Sequence, residues 1–503
     1  MTTLSTLVTP GNVLTAAGTL APTNKDLTGS GNTFPVLGGA TGFVASGSIG
    51  NGATVGINAD GTVSVIAGVD QAVGTAVVFE SASSLFISAT YDSNAQKVVI
   101  AYQDGGNSNY GTAIVGTVSG TSISFGTAVV FESAYSTFIS ATYDSNAQKV
   151  VIAYRDEGNS SYGTAIVGTV DGTSISFGTA VVFESANSVY ISAIYDSNAQ
   201  KVVIAYRDGG NSSYGTAIVG TVSGTSISFG TAVVFESATS DYISSAYDAN
   251  AQKVVIAYAD GGNSNHGTAI VGTVSGTSIS FGTAVVFESA NIDSISATYD
   301  ANAQKVVIAY RDGGNSSYGT AIVGTVSGTS ISFGTAVVFE SAQSPYISAI
   351  YDSNAQKVVI AYRDIGNSSY GTAIVGTVSG TLISFGTAVV FESAGSIYMS
   401  ATYDSNAQKV VIAYRDEGNS NYGTSVVFQN ASTNAPSYIG LSTQAVSDTD
   451  AVTVTTVAGI NESQTGLTPD TLYYVNDDGT LTATATNTYA GKAVSATELL
   501  VKG

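Results

Sequence analysis

Ionisable and aromatic side chains recur in this chain at a fixed interval. Arg155, Arg207, Arg311, Arg363 and Arg415 occupy one position of a 52-residue period, and Gln103 and Ala259 occupy it in the two remaining copies. Further along each copy stand Tyr110, Tyr162, Tyr214, His266, Tyr318, Tyr370 and Tyr422. Glu80 and Asp104 and their equivalents repeat in the same way. Paired carboxyls can hydrolyse glycosides, but that chemistry needs one unequal pair in one pocket, and here the pair is copied throughout. His266 is the single histidine, so a Ser-His-Asp arrangement would be confined to one copy, and tyrosine at its equivalents marks an ordinary substitution. We therefore assign no catalytic residue and read the chain as a non-enzyme with no cofactor. The Asp92-Ser93-Asn94 turn offers oxygens at alternating positions, as a Ca²⁺ loop does. It lacks the following Asp and Gly and has Lys97 close by, so no metal is assigned, and Asp92 is expected to pair with Lys97 across the hairpin.

The remaining chemistry is recognition. The period starts at Gly74 and restarts at Gly126, Gly178, Gly230, Gly282, Gly334 and Gly386. A fixed period of this size signals a repeat architecture. The copies differ at two places. One is a tetrapeptide after each Glu-Ser-Ala: SSLF, YSTF, NSVY, TSDY, NIDS, QSPY and GSIY, the first at residues 83–86. The other follows Lys-Val-Val-Ile-Ala-Tyr and holds the arginines, Glu157, Ile365, Glu417 and the Tyr162-type residues. Arginine and aromatic residues are favoured in binding hot spots. The ligand-binding candidates are Arg155, Arg207, Arg311, Arg363, Arg415, Tyr162, Tyr190, Tyr214, Tyr242 and His266. Two readings of the arginines stay open: contact with a ligand, or pairing with the Glu of Glu-Ser-Ala (Glu80, Glu132, Glu184 and equivalents).

Strands must position these residues. The first, Ile87–Tyr91 in the first copy, is built largely from small residues and leads into the turn Asp92–Gln96. Lys97–Tyr102 is a near-continuous apolar run, suited to a strand covered on both faces. A longer loop leads to a third strand around Thr112–Val118, and Ser119-Gly120 turns into a fourth over Ser122–Phe131, where interior Gly126 suggests a bend. Four antiparallel strands with short turns make one propeller blade. In such a blade both variable segments fall on one side, and the near-constant DSNAQK and SGTS turns fall on the other.

Blades bury their two apolar faces only by stacking. The last copy lacks a fourth strand, and the chain from about Thr62 to Phe79 can supply it. The expected fold is all-β: a seven-bladed propeller over 52–429, closed by an N-terminal strand. An N-terminal attachment segment covers 1–51 and a small β module 430–503.

The net charge of −21 opposes nucleic-acid binding. Its 15 basic residues are seven repeat lysines, five repeat arginines and three others, which leaves no basic patch. The absence of cysteine excludes disulfides. No apolar run is long enough to span a membrane, and the first residues lack a basic segment of the secretory type.

The C-terminal text, with GLTPDTLYYV at Gly466–Val475 and AGKAVSATELLVKG at Ala490–Gly503, resembles a module found near the ends of bacteriophage fibre and other virion proteins. The repeat text KVVIAYRDGGNSSYGTAIVGTVSGTSISFG looks like repeats of phage and environmental bacterial proteins. VSGTSISFGTAVVF is distantly similar to a hairpin of sialidase-type Asp-box propellers, but the Asp is missing except at Asp171 and Phe replaces Trp, so the likeness supports the strand order only. The resemblance implies a virion protein of a tail fibre or spike, assembled in the host cytoplasm. Its implied partners are other virion proteins and a host-surface glycan or protein, and it makes a homotrimer plausible. The alternatives are a decoration protein without receptor binding and a polysaccharide-degrading enzyme.

Overall fold

The computed structural model describes residues 39–433 and 435–501. They form two compact bodies, one from Val69 to Ser432 and one from the two flanks, 39–68 with 435–501. Strands make up both, and no helix among the described residues is long and apolar enough to cross a membrane.

In the repeat body each copy forms a four-stranded antiparallel sheet of the propeller-blade form. The second copy is representative. Lys149–Asp156 pairs with Val129–Asp144 on one side and with Tyr162–Asp171 on the other. Ser174–Phe177 then pairs with the far half of Tyr162–Asp171, and Val181 onward with its near half. The apolar run is buried on both faces, as its composition predicts. Val150, Ile152 and Tyr154 pack against Val99, Ala101 and Val115 of the preceding copy. Val151 and Ala153 pack against Val202, Ile204 and Tyr206 of the following one. Alternate residues of one strand thus serve two neighbours, the direct result of a side-chain period of two.

The fourth strand differs from its sequence reading. It breaks after Phe125 and resumes at Val129, where the 16-residue strand Val129–Asp144 begins. That strand closes one sheet and opens the next. Its first half pairs with Tyr110–Ser119 and its second half with Lys149–Asp156. The chain passes from one sheet to the next within this strand, through register shifts between Val130 and Tyr135 and a bulge between Thr137 and Ser140. At the break the chain runs close to the neighbouring sheet, where a Cβ on Gly126 would collide with the Thr173 carbonyl oxygen.

Contacts between the last copy and the first repeat those between successive copies. Val411, Ala413 and Val427 pack against Val98, Ile100 and Tyr102. The Ser400 hydroxyl accepts from Ala89 N at 2.9 Å, as the Ser88 hydroxyl accepts from Ala141 N at 2.9 Å. Ala72–Val73 and Val77–Ser83 lie beside Tyr422–Gln429 in the place of its missing fourth strand. The expected N-terminal contribution is therefore shorter than Thr62–Phe79.

Residues 54–65 belong elsewhere. Thr54–Ile57 and Val63–Val65 form a hairpin in a sheet ordered Ala40–Val44, Ala451–Thr455, Tyr438–Ser442, Thr54–Ile57, Val63–Val65. Val55 and Val63 bury against Val452 and Val454. The expected boundaries at 51 and 430 shift accordingly: 39–68 are not a separate segment but share sheet and core with the C-terminal residues. The part of the expected attachment segment before residue 39 lies outside the described residues. The second sheet of this body has strands Ile460–Asn461, Leu499–Val501, Thr488–Ala493, Leu472–Val475 and Leu481–Thr482, the last two joined by a turn around Asn476–Gly479. Gly479 takes a φ of 83° there, which suits glycine.

Candidate functional site

In six of the seven copies a bulge in the long strand places the fourth residue of the variable tetrapeptide. Phe86, Phe138, Tyr190, Tyr242, Ser294, Tyr346 and Tyr398 all have φ between 48° and 57°. That region is unfavourable for bulky side chains, so a glycine or asparagine would relieve strain at each point. Six of the seven positions nevertheless carry an aromatic ring.

The rings meet. Centroid separations are 5.5 Å for Tyr346–Tyr398, 5.3 Å for Tyr398–Phe86, 5.3 Å for Phe86–Phe138, 5.4 Å for Phe138–Tyr190 and 5.0 Å for Tyr190–Tyr242. These lie within the range of favourable aromatic pairing. The result is an arc of six rings, open only at Ser294. With the Ile87-type residues that follow them, the arc residues line a cavity of about 370 Å³. In the sixth copy Pro345 interrupts the long strand, which splits into Val337–Gln343 and Ser348–Asp352, yet Tyr346 keeps its place in the arc.

Behind the rings lie the arginines. The guanidinium of Arg155 sits 5.1 Å from the Phe138 centroid, that of Arg207 5.1 Å from Tyr190, and that of Arg415 5.6 Å from Tyr398. Each arginine also meets a carboxylate. Arg155 pairs with Glu157, and Arg207 pairs with Asp241 of the next copy. Arg311 is bidentate to Asp293, with Nε 2.7 Å from Oδ1. Arg363 and Arg415 share Glu417 at 3.1 and 3.4 Å. In the first copy Gln103 Nε2 donates instead to the Ser136 carbonyl at 2.7 Å.

This corrects one of the two readings of the arginines. The ion-pair partners belong to the variable segments and not to Glu-Ser-Ala. The Glu80 carboxylate accepts from the buried Tyr102 hydroxyl at 3.0 Å, and Glu132 accepts from Tyr154 at 2.9 Å. Burial first, with the negative charge of Asp104, pushes the Glu80 carboxyl above its usual range, and the Tyr102 hydrogen bond opposes that. Asp104 itself accepts from Gly106 N at 2.9 Å and Asn107 N at 3.2 Å, which closes the loop after the second strand. The recurring carboxylate pair thus has structural partners in every copy where these bonds recur.

Electrostatics differ at the variable residues. Burial works to raise Glu157, but hydrogen bonds from Ser161 and Arg155 outweigh it and hold the carboxyl below the usual range. Burial, with Tyr242 and Asp241 nearby, pushes the Tyr190 phenol up to about 12.

The sequence candidates separate into two groups. Arg155, Arg207, Arg311, Arg363 and Arg415 gather with Tyr190 and Tyr242 around the arc. Tyr162, Tyr214 and His266 open the third strands, in register with Asn187, Thr239 and Asn291 at the heads of the tetrapeptides. They lie two strands out from the arc. The sequence reading does not single out Phe86, Phe138, Ser294, Tyr346 and Tyr398, although an aromatic fourth residue in six of seven tetrapeptides signals them. The carboxylates Asp241 and Asp293 share the third tetrapeptide position. Asp92, expected to pair with Lys97, instead accepts from Asn94 N at 3.0 Å and Ala95 N at 2.9 Å and so caps its own turn.

No protein-family model matches the chain, and no curated protein matches it. Solved structures do. The BP39L lectin of Burkholderia pseudomallei is 9% identical, with a TM-score of 0.53 over 70% of this chain and 98% of that one. A protein of unknown function from Dyadobacter fermentans is 11% identical over 71% of this chain and 98% of its own, with a TM-score of 0.43. A mutant of the Aleuria aurantia lectin, in complex with alpha-methyl-L-fucoside, is 13% identical over 61% of this chain and 95% of its own, with a TM-score of 0.40. The first of these establishes a likeness of fold.

Proposed function

We propose that the repeat body is a closed seven-bladed β-propeller that binds carbohydrate through the side bearing the variable residues. The arc of aromatic rings, backed by arginine–carboxylate pairs, is the observation that carries this reading. Aromatic faces and planar polar pairs are the two surfaces that a sugar ring, apolar on its C–H faces and polar at its hydroxyls, requires. The contacts between the last and first copies, which duplicate those between neighbours, support ring closure. The fold likeness to a lectin is consistent with a sugar ligand. The C-terminal resemblance extends the proposal: the chain serves as a virion fibre or spike protein, and the carbohydrate is a glycan of the host surface.

The test is binding of the labelled full chain to an array of bacterial surface glycans and to candidate host cells. A variant with Arg155, Arg207, Arg311, Arg363 and Arg415 changed to Ala is compared in parallel. Binding by the wild type that falls in the folded variant is the expected result. Equal binding by both would move recognition away from this side, and absence of binding to any glycan would refute the carbohydrate reading.

A further inference from the structure

The arc is not seven-fold, and its one break is chemically distinct. Ser294 stands where the other copies place Phe or Tyr. Tyr242 and Tyr346 flank the break, and the side chain of Asp293 holds Arg311 there through two hydrogen bonds. Arg311 lies within electrostatic reach of both flanking phenols. Tyr242 is 39% and Tyr346 36% exposed, so hydroxyl-bearing rings border the gap from solvent. Phe86 and Phe138, the two rings without a hydroxyl, lie across the arc from it. The cavity therefore has an apolar side and a polar side.

Resting on the carbohydrate reading, we infer that this cavity holds one neutral saccharide per chain, with its hydroxyl-rich edge in the gap at Ser294 and its C–H face against Phe86 and Phe138. The cavity volume of about 370 Å³ lies within the range of small-molecule sites. The preference for a neutral sugar follows from the charge balance of this side. Arg155, Arg207 and Arg311 each face a carboxylate, and Arg363 and Arg415 share one. The one guanidinium charge this leaves over is outweighed by the Glu80-type carboxylate of every copy, so an anionic sugar meets net negative charge. A single site follows from the single gap: the other six positions are closed by rings in mutual contact.

Calorimetric titration and ligand-observed NMR of the full chain test this. The probes are methyl α-L-fucoside, methyl α-D-mannoside and N-acetylglucosamine as neutral sugars, and N-acetylneuraminic acid as the anionic one. The expected stoichiometry is near one, with a neutral sugar preferred. Ser294→Tyr gives the fifth copy the residue of its neighbours and should weaken binding by about tenfold or more. The double variant Asp293→Val, Arg311→Gln, which uses residues found at these positions in other copies, should weaken it similarly and serves if the first variant misfolds. Lys201→Ala, on the opposite side, should change nothing. A stoichiometry near seven, or a folded Ser294→Tyr that binds as well as wild type, would overturn the single-site inference and leave the carbohydrate reading standing. Preference for N-acetylneuraminic acid would overturn neutrality. No binding to any probe would remove both.

Discussion

The two sides of the repeat body are made by the same strands and tolerate change very differently. On the constant side Asp144 accepts from the backbone N–H of Asn146 at 3.0 Å and of Ala147 at 2.9 Å. Tyr195 of the next copy adds its hydroxyl to Asn146 N at 3.3 Å, and Gln148 holds a φ of 55°. On the variable side Arg155 is held by Glu157 and by the face of Phe138, both of which also vary between copies. A side chain whose partner is backbone cannot change alone, because the backbone group stays behind unsatisfied. A side chain whose partner is another exposed side chain can be exchanged with it at little cost. Variation in this chain therefore maps where partners are replaceable. The arc aromatics are the exception: their backbone strain is kept in all seven copies and their rings in six.

Four measurements test this contrast. Gly178→Ala should have the largest effect, because the added Cβ meets the Thr225 carbonyl oxygen of the neighbouring sheet and backbone cannot yield as a side chain does. A loss of about 3 kcal/mol is expected, at the upper end for overpacking, read as a lowered urea midpoint. Asp144→Ala strips two backbone N–H groups of a charged acceptor and should cost about 1–3 kcal/mol, with the proposed sugar binding unchanged. A loss of binding equal to that at the variable side would break the contrast between the two sides. Arg155→Gln installs the residue of the first copy and should cost less than about 1 kcal/mol, since the ion pair is partly exposed. A larger loss would show that the variable side is structural after all.

The smallest expected effect is a pH dependence. The carboxyls of Glu80, Glu132, Glu184, Glu340 and Glu392 are all raised above 4.5, burial being the first cause. A raised folded value means that these groups contribute stability below the ordinary carboxyl value and lose that contribution as pH rises through the folded value. Glu132→Gln should therefore flatten the decline of the urea midpoint between mildly acidic and neutral pH. An unchanged slope would show that the Tyr154 hydrogen bond offsets the burial.

Much of this was legible in the chain itself. The 52-residue period, the strand-turn grammar of each copy and the double-sided apolar run at Lys149–Tyr154 follow from residue type and spacing, because side-chain period and turn chemistry are local properties. The concentration of variation in two segments also needs only the copies themselves. Other features required the third dimension. The fusion of each fourth strand with the next first strand shows only in the pairing of Val129–Asp144 with two sheets, and Gly126 approaches Thr173, 47 positions along the chain, only once folded. The assignment of residues 54–65 to the flanking body depends on which core Val55 and Val63 fill, and several cores were equally apolar in sequence. The ion-pair partners of the arginines lie partly in their own copies and partly in neighbouring ones. Above all, the arc of Phe86, Phe138, Tyr190, Tyr242, Tyr346 and Tyr398, with its gap at Ser294, exists only because a positive φ at one residue of each copy turns it toward a shared cavity. Spacing along the chain records the periodicity of those residues, and packing alone decides that they meet.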